Sequence, residues 1–367
     1  MKRFSLVKHF FLVTTIAILF LAAPLEARKN NIEIVHRFNA ATPPGNIAIT
    51  PKGRIFMSLH EFFGQDVRVV EVKNNGETIP YPNQAWAKAP QSNGMGLNGV
   101  LGLRADRNGI LWMLDGQRQG HAGRIVAWNT NKESLHQIIT LAPPVTRPDS
   151  FLNDLAVDRE HEFIYIADTA SSNTAALIVV NLKTGQARRL LEGSVFTQAE
   201  DLDLKIDNRV ITNNGKPVRI GVNPITIDPT NEWVYFAPMS STSLYRIRTQ
   251  YLRDTSLDDA ALAQRVERYG DKPISDGITI DLAGNVYITS ITEDAIGVTR
   301  ADGAYQILDQ RDDLSWPDGF AVGPRNYIYA TINELHRSPP LNRGQDSSLG
   351  EFKIIRFKAL ADTVTGR

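Results

Sequence analysis

The 367-residue chain contains no cysteine. Disulfides, thiolate metal sites, a cysteine nucleophile and a cysteine-linked lipid anchor are therefore excluded. An excess of either charge is also missing, since 40 basic residues balance 40 acidic ones. A nucleic-acid partner, which calls for a basic stripe, is not expected. There is no Asn-x-Ser/Thr sequon, no His pair with HxH or HExxH spacing, no GxSxG elbow and no phosphate-binding P-loop. The apolar run at residues 10–23 is short for a membrane span.

What is present begins with that run. Lys2, Arg3 and Lys8 precede it and Leu25-Glu26-Ala27 follows. This order predicts a secretory signal peptide over residues 1–27, hence a secreted or periplasmic, bacterial protein with no stable membrane span after cleavage. Residues 28–367 are expected to form a single domain with a net charge of about −2.

The remainder repeats itself loosely. A polar leader, an alternating apolar strand, a turn with Asp, Asn or Gly, and a second strand rich in Ile, Val and Tyr recur. Leaders fall at Asn46, Asn98, Asn153, Asn223, Asp276 and Asp318, spaced 52, 55, 70, 53 and 42 residues apart. Strand, tight turn and strand read as a β-hairpin, and the period matches propeller blades. Third strands follow at Gly123 to Trp128, Ala176 to Asn181, Ser243 to Ile247 and Phe352 to Phe357. The expected fold is all-β: a six-bladed β-propeller whose last blade is completed by Ile32 to Phe38, closing the ring and removing an open edge. Gly193 to Gly221 reads as an insertion, and Ser256 to Tyr269 as a short helix.

Ordered motifs carry a family likeness. They include Leu111-Trp-Met-Leu-Asp115, Ser150-Phe-Leu-Asn-Asp-Leu-Ala-Val-Asp158, Pro238-Met-Ser-Ser-Thr-Ser-Leu-Tyr-Arg246, Ser275-Asp-Gly-Ile-Thr-Ile-Asp281 and Trp316-Pro-Asp-Gly-Phe-Ala-Val322. In these the chain resembles the major royal jelly protein and yellow family, and more distantly gluconolactonase/regucalcin-like propellers. The resemblance implies an extracellular six-bladed propeller with a ligand-accepting central channel. Some members of that family are linked to dopachrome conversion and some bind biogenic amines. The chain departs from animal members in lacking cysteines and glycosylation sites.

Propeller geometry predicts where a site would form. First strands line the channel, so the six leaders should gather at one mouth, ringed by Glu61, Asp115, Asp168, Ser240, Glu293 and Asn333 just past the second strands. Two chemistries suit such a funnel. One is calcium, held by oxygens of Asn153, Asn223 and Asp276 with Asp318 nearby. That trio resembles the calcium ligands of the gluconolactonase/regucalcin and paraoxonase propellers, although their first-blade Glu is replaced here by Gly45-Asn46. The other is a small polar or cationic organic ligand paired with Asp or Glu and stacked on Phe62, Phe63, Trp316 or Phe320. His60, His121, Asp168 and Glu293 are candidate catalytic groups. Asp158, Asp228 and Asp281 should only form turns at the opposite mouth. The expectation is a monomer that binds a small molecule in the channel mouth. The alternative is a calcium-dependent, lactonase-like hydrolase or an isomerase of the dopachrome-converting kind acting at the same place.

Overall fold

The computed structural model describes Met1 and residues 32–91, 94–118, 120–171 and 173–366; the expected signal peptide, Met1 apart, lies outside the described residues. No helix among the described residues is long and apolar enough to cross a membrane.

The repeats are six four-stranded antiparallel blades. Their innermost strands are Pro44–Ile49, Val100–Ala105, Leu152–Asp158, Val222–Ile227, Ser275–Ile280 and Pro317–Gly323. Each of these packs on the innermost strands of both neighbouring blades, which closes the ring. Blade 6 takes its outermost strand, Glu33–Phe38, from the other end of the chain, paired antiparallel with Phe352–Lys358.

The inner two strands of a blade are covered on both faces by neighbouring blades. Their sequences are accordingly near-continuous apolar runs, such as Ile110–Asp115, which is buried throughout. Outermost strands meet solvent, and Tyr305–Gln310 is correspondingly polar and partly exposed. Buried side chains form an apolar layer between each pair of adjacent blades. A seventh cluster, including Leu204, Ile211, Val218, Trp316 and Leu341, lies outside this ring.

The hairpins at the lower mouth share one device. Asp158 accepts His161 N–H and Tyr165 O–H; Asp281 accepts Asn285 N–H and Tyr287 O–H; Asp106 accepts Ile110 N–H and Trp112 Nε1–H. Asp228 accepts the N–H groups of Glu232 and Trp233. All four carboxylates fix the turn, and Asp158, Asp281 and Asp106 also satisfy the polar tip of a buried aromatic ring.

The insertion forms two small hairpins, Lys205–Ile206 with Arg209–Val210 and Thr212–Asn213 with Lys216–Pro217. Among the described residues α-helix is confined to Thr249–Arg253 and Asp259–Ala263, the second capped by Asp258 on Ala261 N–H. The helix expected to run on to Tyr269 stops because Glu267–Asp271 pairs with Ser243–Arg248 as the outermost strand of blade 4.

Candidate functional site

Every innermost strand begins with a register slip in its pairing, between Pro44/Ile47, Val100/Leu103, Leu152/Asp154, Val222/Ile225, Ser275/Ile278 and Pro317/Phe320. Bulges of this kind re-aim side chains. Here they place Gly45, Leu101, Asn153, Asn223, Asp276 and Asp318 at equivalent points round the axis. Glycines let the strands approach. A Cβ on Gly277 would meet the Asp318 carbonyl, and one on Gly319 would meet Asn46 Oδ1.

A cavity of about 700 Å³ opens above this ring. Its floor includes Asn46, Asn153, Asn223, Asp276 and Asp318, and its wall includes His60, Phe62, Phe151, Met239 and Trp316. The insertion supplies Lys216 to Ile220, and the segment after blade 6's second strand supplies Leu335 and Leu341. Arg209 ties these two segments together through the carbonyl of His336 at 3.1 Å.

Asp276 is 8% exposed. Its Oδ1 accepts Asn223 Nδ2 at 2.8 Å and its Oδ2 accepts Trp316 Nε1 at 2.8 Å. Burial pushes its carboxyl up to about 6. Asp318 accepts Asn333 Nδ2 at 2.6 Å; burial and the nearby Asp276 raise it well above the carboxylate range. Neither acid has an ion-pair partner among the described residues. Two like charges on adjoining strands cannot both ionise cheaply, so each raises the cost of ionising the other.

One floor residue is already committed. Asn46 Oδ1 accepts Arg104 Nη1 at 3.1 Å, and Arg104 Nη2 donates to Asp154 at 2.6 Å. This buried ion pair closes the channel beneath the cavity. The sequence reading missed it, although Asp154 adjoins Asn153 and Arg104 falls mid-strand in the same repeat. Asn153 has no protein partner for its side chain among the described residues, and Asn223 Oδ1 is buried without one.

Other expected residues lie elsewhere. Asn98 does not line the cavity, because the bulge in blade 2 puts Leu101 at the equivalent point; the Asn98 N–H donates to Asp115. Asp115 is fully buried against Gly99 N–H and Arg124 at 2.8 Å. Asp168 is likewise buried, pairing with Arg189 at 2.6 Å and accepting Phe151 N–H at 2.7 Å. Both shape the loops beside the cavity and face away from it. Glu293 accepts Ser290 Oγ at 2.6 Å and Tyr305 O–H at 3.2 Å, and Glu61 pairs with Arg118. His121 is exposed in the Arg118 loop and is not among the residues that line the cavity. Phe320 packs between blades 5 and 6, and Phe63 stacks edge-on against Phe352. Phe151, which faces Phe62 with ring centroids 6.4 Å apart, is the aromatic the sequence reading overlooked.

The expected calcium donors can be judged on these contacts. The buried, unpartnered Asn223 Oδ1 and the unpaired acids suit a hard cation. Gly45 and Leu101 bring no oxygen side chain from blades 1 and 2, and both Asp276 oxygens already accept N–H groups. The oxygens left are fewer than calcium's usual six to eight.

Fold and cavity together define a six-bladed propeller with a ligand-sized axial pocket. The Major royal jelly protein family model matches residues 98–356, and the chain belongs to that family. No curated protein matches it. Solved structures share the fold at low identity. A gluconolactonase from Xanthomonas campestris is 13% identical with a TM-score of 0.56, over 90% of this chain and 91% of that one. A calcium-binding regucalcin from Agrobacterium tumefaciens is 12% identical with a TM-score of 0.52, over 91% and 98%. Virginiamycin B lyase from Staphylococcus aureus is 14% identical with a TM-score of 0.52, over 90% and 99%.

Proposed function

We propose that the protein is exported and captures a small organic cation, a protonated amine with an apolar body, in the axial cavity. The observation that carries this reading is the acid pair Asp276 and Asp318, neither in an ion pair among the described residues, on the floor of a pocket whose wall includes Phe62, Phe151, Met239 and Trp316. An ammonium group supplies the missing positive charge and three N–H donors. Phe62 and Phe151 offer ring faces and edges to the rest of the molecule. Calorimetric titration with 2-phenylethylamine and with its uncharged counterpart 2-phenylethanol tests the reading. Binding of the amine alone supports it; equal binding of both removes the role of the acids.

A second reading is a calcium-dependent lactonase-like hydrolase or isomerase, favoured by the unpartnered Asn223 Oδ1 and by the gluconolactonase among similar folds. Asn153, Asn223 and Asp276 would hold the ion, which would polarise a substrate oxygen. Lactone hydrolysis that chelator abolishes and calcium restores would establish this reading over the first.

A further inference from the structure

We propose that His60 is a tautomer-locked hydrogen-bond donor that selects, among cavity ligands, those carrying an oxygen acceptor beside the charged group. The inference rests on the amine-capture reading for the identity of the ligand, but not for the state of the ring.

His60 ends the second strand of blade 1 and caps the turn Glu61–Phe63. Its Nδ1 accepts the Phe62 N–H at 3.2 Å, so the ring proton sits on Nε2. The imidazole is 5% exposed and held edge-on against Phe62 and Phe63, with centroids at 4.8 and 6.4 Å. It lines the cavity, and no protein acceptor meets Nε2–H among the described residues. Burial, with the Arg118 charge nearby, pushes the ring down to about 3, so it stays uncharged at physiological pH.

These facts remove the role of general base. The Nδ1 lone pair is occupied and Nε2 already carries the proton. What remains is donation from a fixed point on the lining of the cavity that also holds the two acids. The Nε2–H has no protein acceptor among the described residues, and a ligand hydroxyl, carbonyl or ether oxygen can accept from it. A ligand lacking the oxygen leaves the donor unpaired, which is how polar sites reject close analogues. The preferred class is thus an amino alcohol or amino ketone rather than a simple amine.

The test compares 2-phenylethylamine with 2-amino-1-phenylethanol on the full chain. Wild type should favour the hydroxylated amine by about tenfold. His60→Phe should bring the ratio of the two affinities to about one, whatever it does to either affinity alone, and His60→Gln, which keeps an N–H, should retain part of the preference. Equal affinities in wild type, or a preference that survives His60→Phe, overturn the proposal. Nitrogen-15 NMR of the unliganded protein supplies an independent readout. A single Nε2–H tautomer from about pH 8 to about pH 5 supports the proposal, whereas an Nδ1–H ring, or titration near the ordinary His value, overturns it. Should neither amine bind, the amine-capture reading fails, and the NMR result decides whether His60 is the fixed donor.

Discussion

The indole of Trp316 donates Nε1–H to Asp276 Oδ2 at 2.8 Å, joining blade 6's entry loop to the acid floor of blade 5. Trp316 holds a φ of +53°, in the left-handed region that bulky residues rarely occupy, and its other contacts include a near-parallel stack on His336. The strained backbone thus delivers the one side-chain donor that this acid receives from blade 6.

Trp316→Phe removes that donor and leaves a buried carboxylate oxygen unpaired. Stability at neutral pH should fall by about 2 kcal/mol, counting the lost charged hydrogen bond. The apparent pKa of Asp276 should rise, moving the pH dependence of amine binding upward. Urea denaturation and pH-resolved calorimetry read the two effects.

Asp276 itself should depress stability above its raised pKa. Its folded carboxyl titrates at about 6 against an ordinary 3.8. Below the ordinary value both states are protonated and the group contributes nothing. As pH rises from there to about 6 the unfolded chain ionises first, and up to about 3 kcal/mol of stability is lost. Asp276→Asn should remove that loss, so the variant should gain on wild type between about pH 4 and about pH 7 in denaturant titrations. An amide flip of Asn223 would then aim its free Oδ1 at the new N–H₂.

Much of this was legible in the sequence, and the misses have local causes. Hairpins with both strands apolar announced six blades, and the stray strand before Asn39 announced its partner after Gly350. That Asn153, Asn223, Asp276 and Asp318 line one cavity is legible because each stands at the same step of its repeat. Asn98 misled because in blade 2 the bulge falls three residues later, at Leu101. Asp115 reads as a ligand group and Asp168 as a catalytic candidate because the pairing of each with its arginine, Arg124 on a third strand and Arg189 on a fourth, is not given by the repeat spacing. The Ser256 to Tyr269 segment has helical periodicity, but ring geometry demanded a fourth strand from it.

Arg104 and Asp154 form the buried ion pair below the cavity, with side chains 11% and 4% exposed. Arg104→Met should strand a buried carboxylate and cost about 3–5 kcal/mol. The double change Arg104→Met with Asp154→Leu should recover most of that loss, since the apolar pair carries no desolvation penalty. Thermal melts of both variants and wild type complete the cycle.

Gly319→Ala should be severe, because Gly319 is buried in the innermost strand of blade 6. Its Cβ would collide with Asn46 Oδ1 and lie 2.9 Å from Asn46 Cα, forcing blades 6 and 1 apart. A loss of about 1–3 kcal/mol or more is expected in urea titration. Gly120→Ala, with nothing within 4 Å, meets no such clash, and the strain of its φ of +83° should be its main effect.

Proton exchange at the acid pair gives the most direct test. Calorimetric titration of 2-phenylethylamine at about pH 7 in buffers of different ionisation enthalpy counts the protons exchanged on binding. If an ammonium replaces a proton on Asp276 or Asp318, on the order of one proton should be released per ligand in wild type and none in the Asp276→Asn, Asp318→Asn double variant. Tight binding with no proton release, or with the same release in the double variant, would contradict the account.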